Sequence, residues 1–312
     1  VRKAKDENVE VVGFKNGWAG LLEDDSKRLN RGDVSGILPV GGTFLGSSRT
    51  NPFSIQNGPE RAVETYEKHD LDGLIAIGGD DTLGVAHKLR DYDVNAVGIP
   101  QTIDNDLAGT EYSIGFSSAI TQVMKAVDQL HTTAYSHHRV MILEVMGRDS
   151  GWIALFGGLA GGADSILVPE EPFNVKNVKE RIKEREAAGK FFSIVVISEG
   201  ASPEGLDQQI TRESGTDSFG HVKLGGIGHY LKDQLDAILD MPIRVTTLAY
   251  LQRGGEPTAF DRLLATRCGL SAVEFCMEGK FDRMTAFDGH KVEPVSLEKV
   301  IANSPKPIDD DL

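Results

Sequence analysis

The sequence predicts an α/β protein built from two Rossmann-like, three-layer αβα units with mostly parallel sheets and a cleft between them. Short apolar runs alternate with amphipathic stretches along the chain, the pattern of strands that feed crossover helices. The 35 glycines cluster just after those apolar runs, as turns do in such folds. At 312 residues the chain is also long for one core, so two units are expected. They are expected to meet near Gly115, one comprising 1–115 plus 228–278 and the other 116–227 plus 279–312.

The charged opening, Val1-Arg2-Lys3-Ala4-Lys5-Asp6-Glu7, has neither an apolar signal core nor an initiator methionine, and reads as the inside of a helix in a fragment. Val9 to Phe14 follows as a strand, and Trp18 as a core aromatic. Pro59 to His69 reads as a helix, Leu74 to Ile77 as a short buried strand, Thr82 to Arg90 as a helix and Asn95 to Ile99 as extended. Ile120 to Tyr135 places Ile120, Val123, Met124, Val127 and Leu130 at helical spacing. Arg139 to Glu144 and Ser165 to Val168 are extended, and Val175 to Ala187 is a charged, exposed helix. Phe191 to Ile197 is a strand, Gly200 to Gly220 a polar surface loop and Ile227 to Leu239 a helix. Arg244 to Tyr250 is a strand, Asp261 to Met277 a helix, and Ser304 to Leu312 a loose tail.

The net charge of −14 argues against nucleic acid as the partner. An anionic substrate would therefore need a local arginine cluster or a metal. Cys268 and Cys276 sit in one helical segment without metal-ligand spacing, which fits a reducing cytoplasm rather than a disulfide framework. No apolar run approaches a membrane span.

Three acidic or basic turns follow predicted strands, at the edge where open α/β sheets bind ligands. Gly78-Gly79-Asp80-Asp81-Thr82 opens a helix. Its carboxylates either offset the helix dipole or hold Mg²⁺ against phosphate oxygens. Thr102-Ile103-Asp104-Asn105-Asp106 follows Pro100. Either it is an Asx-type turn, or Asp104 and Asp106 share one side as a general base and a metal-facing charge. Met146-Gly147-Arg148 ends a third run. Arg49, Arg139, Arg148, Arg244 and Arg253 all flank glycine-rich turns or strand ends, and the guanidinium fork suits phosphate. Glu199 is either a turn acid or a contact to a substrate hydroxyl. His137-His138 reads as a helix end, and His221 and His229 show no ligand spacing.

The stretches GGTFLGSSR (41–49), IGGDDT (77–82), PQTIDND (100–106), HRVMILEVMGRDSGWIAL (138–155), ISEGA (197–201) and LQRGGEPTAFDRLLATR (251–267) occur in one order over nearly the whole chain. In this set and order the chain resembles the 6-phosphofructokinase family. AGLL, GWIALFGGLAGGAD and GGIGHYL are similar to its actinobacterial, mixed-donor branch. The resemblance implies Mg²⁺-dependent phosphoryl transfer to the 1-hydroxyl of fructose 6-phosphate, with the first unit binding the donor and the second the sugar phosphate. Asp104 would be the general base, with Thr102 and Arg148 holding and neutralising the transferring group. Asp80 would organise Mg²⁺, supported by Asp106. Arg49, Gly79, Asp81, Thr82 and Gln101 would line the donor site. Arg139, Arg244 and Arg253 would bind the 6-phosphate. Met146, Gly147, Glu199 and Tyr250 would shape the sugar pocket, Tyr250 standing where a histidine is common. Arg139 and Arg244 would reach a neighbouring subunit's site in a homodimer or homotetramer.

Asp81 stands where ATP users of the family usually carry glycine. Its charge and bulk oppose an α-phosphate and favour pyrophosphate. Gln101 lacks the lysine that pyrophosphate users pair with that acid, so ATP stays open as donor. The family's first strand and glycine loop are expected before residue 1, and without them donor binding and stability would suffer. A relative of NAD or lipid kinases would share the Gly-Gly-Asp turn but not the other motifs. A silent sugar-phosphate-binding subunit is disfavoured by the retained Asp104 and Arg148.

Overall fold

The computed structural model describes residues 1–205 and 225–309. The expected loop at 200–220 and His221 therefore lie largely outside the described residues. The elements run α1 (Arg2–Asp6), β1 (Val12–Phe14), α2 (Trp18–Glu23), β2 (Ser26–Arg28), α3 (Gly58–Lys68), β3 (Leu74–Gly78), α4 (Asp80–Leu89) and β4 (Ala96–Pro100). They continue with α5 (Phe116–His137), β5 (Val140–Val145), α6 (Trp152–Gly161), β6 (Ser165–Leu167), α7 (Val175–Ala187) and β7 (Ser193–Ser198). The last are α8 (Ile227–Asp236), β8 (Ile243–Thr247), α9 (Ala259–Met277), β9 (Arg283–Asp288), β10 (Lys291–Ser296) and α10 (Leu297–Ala302).

Two four-stranded sheets carry the fold. One has the order β10-β9-β4-β3, parallel except for the β9–β10 hairpin. The other, β6-β7-β5-β8, is parallel throughout. An interior strand of each sheet, β4 and β5, is buried from end to end: Ala96 to Pro100 and Val140 to Val145. Along β5 the side chains alternate between two cores. Met141, Leu143 and Val145 join Phe116, Val123 and Ile153 from α5 and α6. Val140 and Ile142 join Ile182, Ile227 and Leu231 from α7 and α8. In the first sheet Val97 and Ile99 pack on Leu264, Cys268 and Ala272 of α9, and Ala76 and Ala96 lie with Leu83, Ala86 and Leu297 on the other face. Helices on both faces are what continuous apolar strands demand.

Several expectations change. Residues 283–302 belong to the first sheet, not the second unit, because β9 hydrogen-bonds to β4 and α10 packs on α4. Residues 228–247 move the other way, since β8 pairs with β5 in the second sheet and α8 packs on both strands. β1 does not enter a parallel sheet; it forms an antiparallel pair with β2. The strand expected to reach Tyr250 ends at Thr247, and residues 249–253 turn as a 3₁₀ helix. α6 escapes a periodicity search because its sequence, WIALFGGLAG, is apolar nearly all round. The tail is not loose through residue 309: it is hydrogen-bonded back onto both units. Among the described residues β3 is the last strand on its side of the sheet, with Ile77 54% exposed. Trp18 is a core residue, and both cysteines are free thiols. No helix among the described residues is long and apolar enough to cross a membrane.

Candidate active site

The C-terminal ends of β3, β4, β5, β7 and β8 converge on one cleft. β3 and β4 run in parallel register to Gly78 and Pro100, so their following loops lie side by side. A methyl added at Gly79 would sit 3.6 Å from Thr102 Cβ. Gln101 N–H closes the pair by donating to Gly78 O at 2.9 Å. Asp80 and Asp81 form the first turn of α4, with Gly79 as its cap, where the helix dipole favours acids.

The loop after β4 is shaped by Asn105, which is 2% exposed and adopts φ +54°. Its Nδ2 donates to Glu111 O at 3.1 Å, and its Oδ1 accepts from Ser113 N at 2.9 Å. Ser113 Oγ donates to Thr102 O at 2.7 Å. Asn105 thus turns inward and supports the loop between the two carboxylates. Thr102 Oγ1 lies 3.3 Å from Asp104 Oδ2 and accepts the Asp104 N–H at 3.2 Å.

Charge is concentrated here. Burial raises the Asp104 pKa; Arg253, the Thr102 hydroxyl and Arg148 hold it back, while Asp80 pushes it further up. Asp106 is pushed up to about 7 by burial, then by Asp104, Asp80 and Asp149. Burial opposes the Arg148 charge, but Asp149 at 2.7 Å, with Asp80 and Asp104, more than offsets it, and the guanidinium stays charged. Burial also raises Glu199, with Gly147 N–H and Arg253 opposing. The structure therefore brings Asp80, Thr102, Asp104, Asp106, Arg148, Glu199 and Arg253 into one electrostatic cluster.

The β5 loop is seated by close backbone contacts. Gly147 adopts φ +134°, and its carbonyl accepts from Ser198 Oγ at 2.6 Å and Gly200 N at 3.0 Å. A Cβ at Gly200 would fall 1.9 Å from Arg148 O, so only glycine fits. Gln252, buried in the turn between Tyr250 and Arg253, accepts from Met146 N at 2.8 Å. It bolts the arginine-bearing turns together; in the sequence it lies within Leu251-Gln252-Arg253-Gly254-Gly255, where no charge singles it out. Tyr250 is 77% exposed. Opposite, Gly41 meets Gly255 so closely that a Cβ would lie 2.1 Å from its carbonyl. The exposed loop bearing Arg49 therefore rests on the Arg253 turn, and Asn51 shares a cavity of about 230 Å³ with Asp80, Asp81, Gly84 and Lys88.

A family model described as Phosphofructokinase matches residues 1–276. The chain belongs to the phosphofructokinase family. It is 49% identical over 294 residues to the pyrophosphate--fructose 6-phosphate 1-phosphotransferase of Amycolatopsis mediterranei strain S699, covering 94% of this chain and 85% of the relative. It is 46% identical over 300 residues to ATP-dependent 6-phosphofructokinase 3 of Streptomyces coelicolor, covering 96% and 88%. Among solved structures, Pichia pastoris phosphofructokinase in the T-state superposes with TM-score 0.84 at 30% identity, over 97% of this chain and 33% of that one. The pyrophosphate-dependent phosphofructokinase of Marinobacter aquaeolei does so with TM-score 0.83 at 26% identity, over 99% and 79%. The relatives are phosphotransferases that differ in donor.

In this phosphofructokinase-family chain, Arg139 and Arg244 stand apart from the cluster. Arg139 precedes β5, and Arg244 lies beside Met141 in β8. Both sit toward the N-terminal end of a sheet whose opposite end carries Arg148: six residues of β5, about 20 Å, lie between Arg139 and Met146, and Arg244 is level with the second of them.

Proposed function

We propose that the chain is a 6-phosphofructokinase that transfers a phosphoryl group from pyrophosphate to the 1-hydroxyl of fructose 6-phosphate, giving fructose 1,6-bisphosphate in glycolysis. One observation supports this reading: the buried Asp104 carboxylate, hydrogen-bonded by the Thr102 hydroxyl, feels the charges of Arg253, Arg148 and Asp80 together. A carboxylate of raised pKa is a better proton acceptor than an ordinary aspartate. It takes the 1-hydroxyl proton as the sugar oxygen bonds to phosphorus and the anhydride P–O bond breaks, releasing phosphate. Arg148 neutralises the equatorial oxygens and Thr102 helps hold them, so the protein supplies position and charge rather than covalent chemistry. Arg253 holds the 6-phosphate, while Met146, Gly147, Glu199 and Tyr250 enclose the sugar.

Mg²⁺ fits this site. Burial first, and then the neighbouring acids Asp104 and Asp80, drive Asp106 toward neutrality, and a divalent cation would relieve the part that comes from like charges. Among the described residues no group of three or more His, Cys, Asp or Glu side chains is built to hold a metal. In this reading the ion is held by Asp80, water and donor oxygens. When bound it screens the donor phosphates.

Asp81 at the opening of α4 favours pyrophosphate, since its carboxylate opposes an α-phosphate. Arg49, Gly79, Thr82 and Gln101 complete the donor site in this reading. ATP is the second reading: the cavity beside Asp81 includes Gly84 and Lys88, room and a cation for the rest of a nucleotide. Turnover of fructose 6-phosphate with Mg²⁺ and either donor tests both. Pyrophosphate is expected to give the higher kcat/KM, and Asp81→Gly to raise ATP use by about tenfold. No gain with ATP would remove the donor assignment.

Arg139 and Arg244 are too far from their own cleft to serve it, which supports a homodimer or homotetramer in which they bind the 6-phosphate in a neighbour's site. A cytoplasmic location goes with this activity.

A further inference from the structure

Past α10 the chain crosses from the first sheet to the second over the back of the Asp104 loop. Ser304 Oγ accepts from Ala108 N at 2.9 Å and donates to Val300 O at 2.7 Å. Lys306 N–H donates to Asp106 O at 2.6 Å. Its ammonium donates to Thr110 O at 2.7 Å and Glu111 O at 3.2 Å, and lies 5.1 Å from the centre of the Trp152 ring. Trp152 Nε1 donates to Lys306 O at 3.2 Å. Beyond it, Ile308 packs into the α5–α6 core. Its N–H donates to Glu170 Oε1 at 3.3 Å, and that carboxylate also receives Gly151 N–H ahead of α6.

We propose that Lys306 is a positioning residue of the phosphoryl-transfer site: its ammonium and backbone fix the loop of residues 104–111 from behind, and the strap of residues 304–309 ties that loop to the second unit. The loop lacks ladder partners, so its carbonyls need donors from elsewhere. Glu111 O receives both Lys306 Nζ and Asn105 Nδ2, and Asn105 is the left-handed residue between the two carboxylates. Removing the ammonium loosens the acceptor that orients Asn105, and through it the carboxylate of Asp104. Most of the lysine is withdrawn from water with Asp106 and Glu111 facing it, so the charge also stands behind the acidic cluster.

The inference rests on the proposed phosphofructokinase activity, and two measurements separate them. In the full chain, Lys306→Met is expected to lower kcat about tenfold while KM for fructose 6-phosphate stays within about twofold, and Lys306→Arg to recover most of the loss. Hydrogen exchange of residues 104–113 is expected to quicken about tenfold in Lys306→Met, with 74–100 unchanged. Should the methionine variant not fold, Lys306→Gln takes its place in both experiments. Wild-type kcat and exchange in the uncharged variant, or an arginine variant as slow as the methionine one, overturn the proposal. If the wild-type chain transfers phosphate from neither donor, the activity falls, and the exchange measurement alone decides the strap: slow exchange in the variant rejects it, fast exchange upholds it.

Discussion

Asp106 bears the cost of burying an acid beside other acids. Its pKa rises from 3.8 to about 7 on folding. Between those values the unfolded chain has released this proton while the folded chain still holds it, so this residue's contribution to stability falls as pH rises from about 4 to 7. Above that window the folded state carries a buried charge among like charges. Asp106→Asn removes it. The variant is expected to be more stable than wild type at pH 8 by about 2 kcal/mol, roughly half the full shift because water reaches part of the side chain. At pH 4 the two should be alike. Urea unfolding at the two pH values checks the sign, and a variant less stable at pH 8 contradicts it. The residue types of this cluster were legible in the sequence, since acids and arginines after apolar runs are visible without a fold. Asn105 was not, because its inward turn shows only in its bonds to Glu111 and Ser113.

The helices that frame the cleft are joined by a buried acid. Asp261 is 2% exposed in the first turn of α9, capped by Thr258. It accepts from Gly115 N at 3.0 Å and Ser118 N at 2.8 Å, and also from Ser118 Oγ. One carboxylate therefore serves two helix starts, α9 and α5, at the crossover between sheets. Asp261→Ala strands those donors in a buried place and is expected to cost about 3 kcal/mol, read by denaturant unfolding. A loss below about 1 kcal/mol would show that water replaces the carboxylate. Elements with a clear pattern were readable: α5 and α7 are amphipathic, and β4, β5 and β7 are built on apolar runs, Val140 to Leu143 in β5 and Ile194 to Ile197 in β7. β9 and β10 were not, because RMTAFD and KVEPVS carry charges and a proline that a hairpin at a sheet edge tolerates.

Across the molecule, both sheets point their C-terminal ends at one cleft, and the opposite end of the second sheet carries Arg139 and Arg244. That separation predicts intersubunit complementation. Asp104→Asn and Arg244→Ala are each expected to be nearly inactive toward fructose 6-phosphate. When dissociated together and reassociated, they should regain activity, because a hybrid holds one site with both residues intact. A mixture as inactive as its parts would assign Arg244 to some other task.

The sequence by itself determined the parallel architecture and which residue types stand at the strand ends, because burial on both faces and glycine-bounded turns are local patterns. Family membership was readable in motif order for the same reason. Only the tertiary structure decided which segments share a sheet, since β9 reaches β4 from far along the chain and brings β10 with it, and pairing at that distance leaves no local trace. It also decided the place of the tail: Lys306 looks like an ordinary solvated charge until folding sets it against Thr110, Glu111 and Trp152, where withdrawal from water brings its pKa down to about 8.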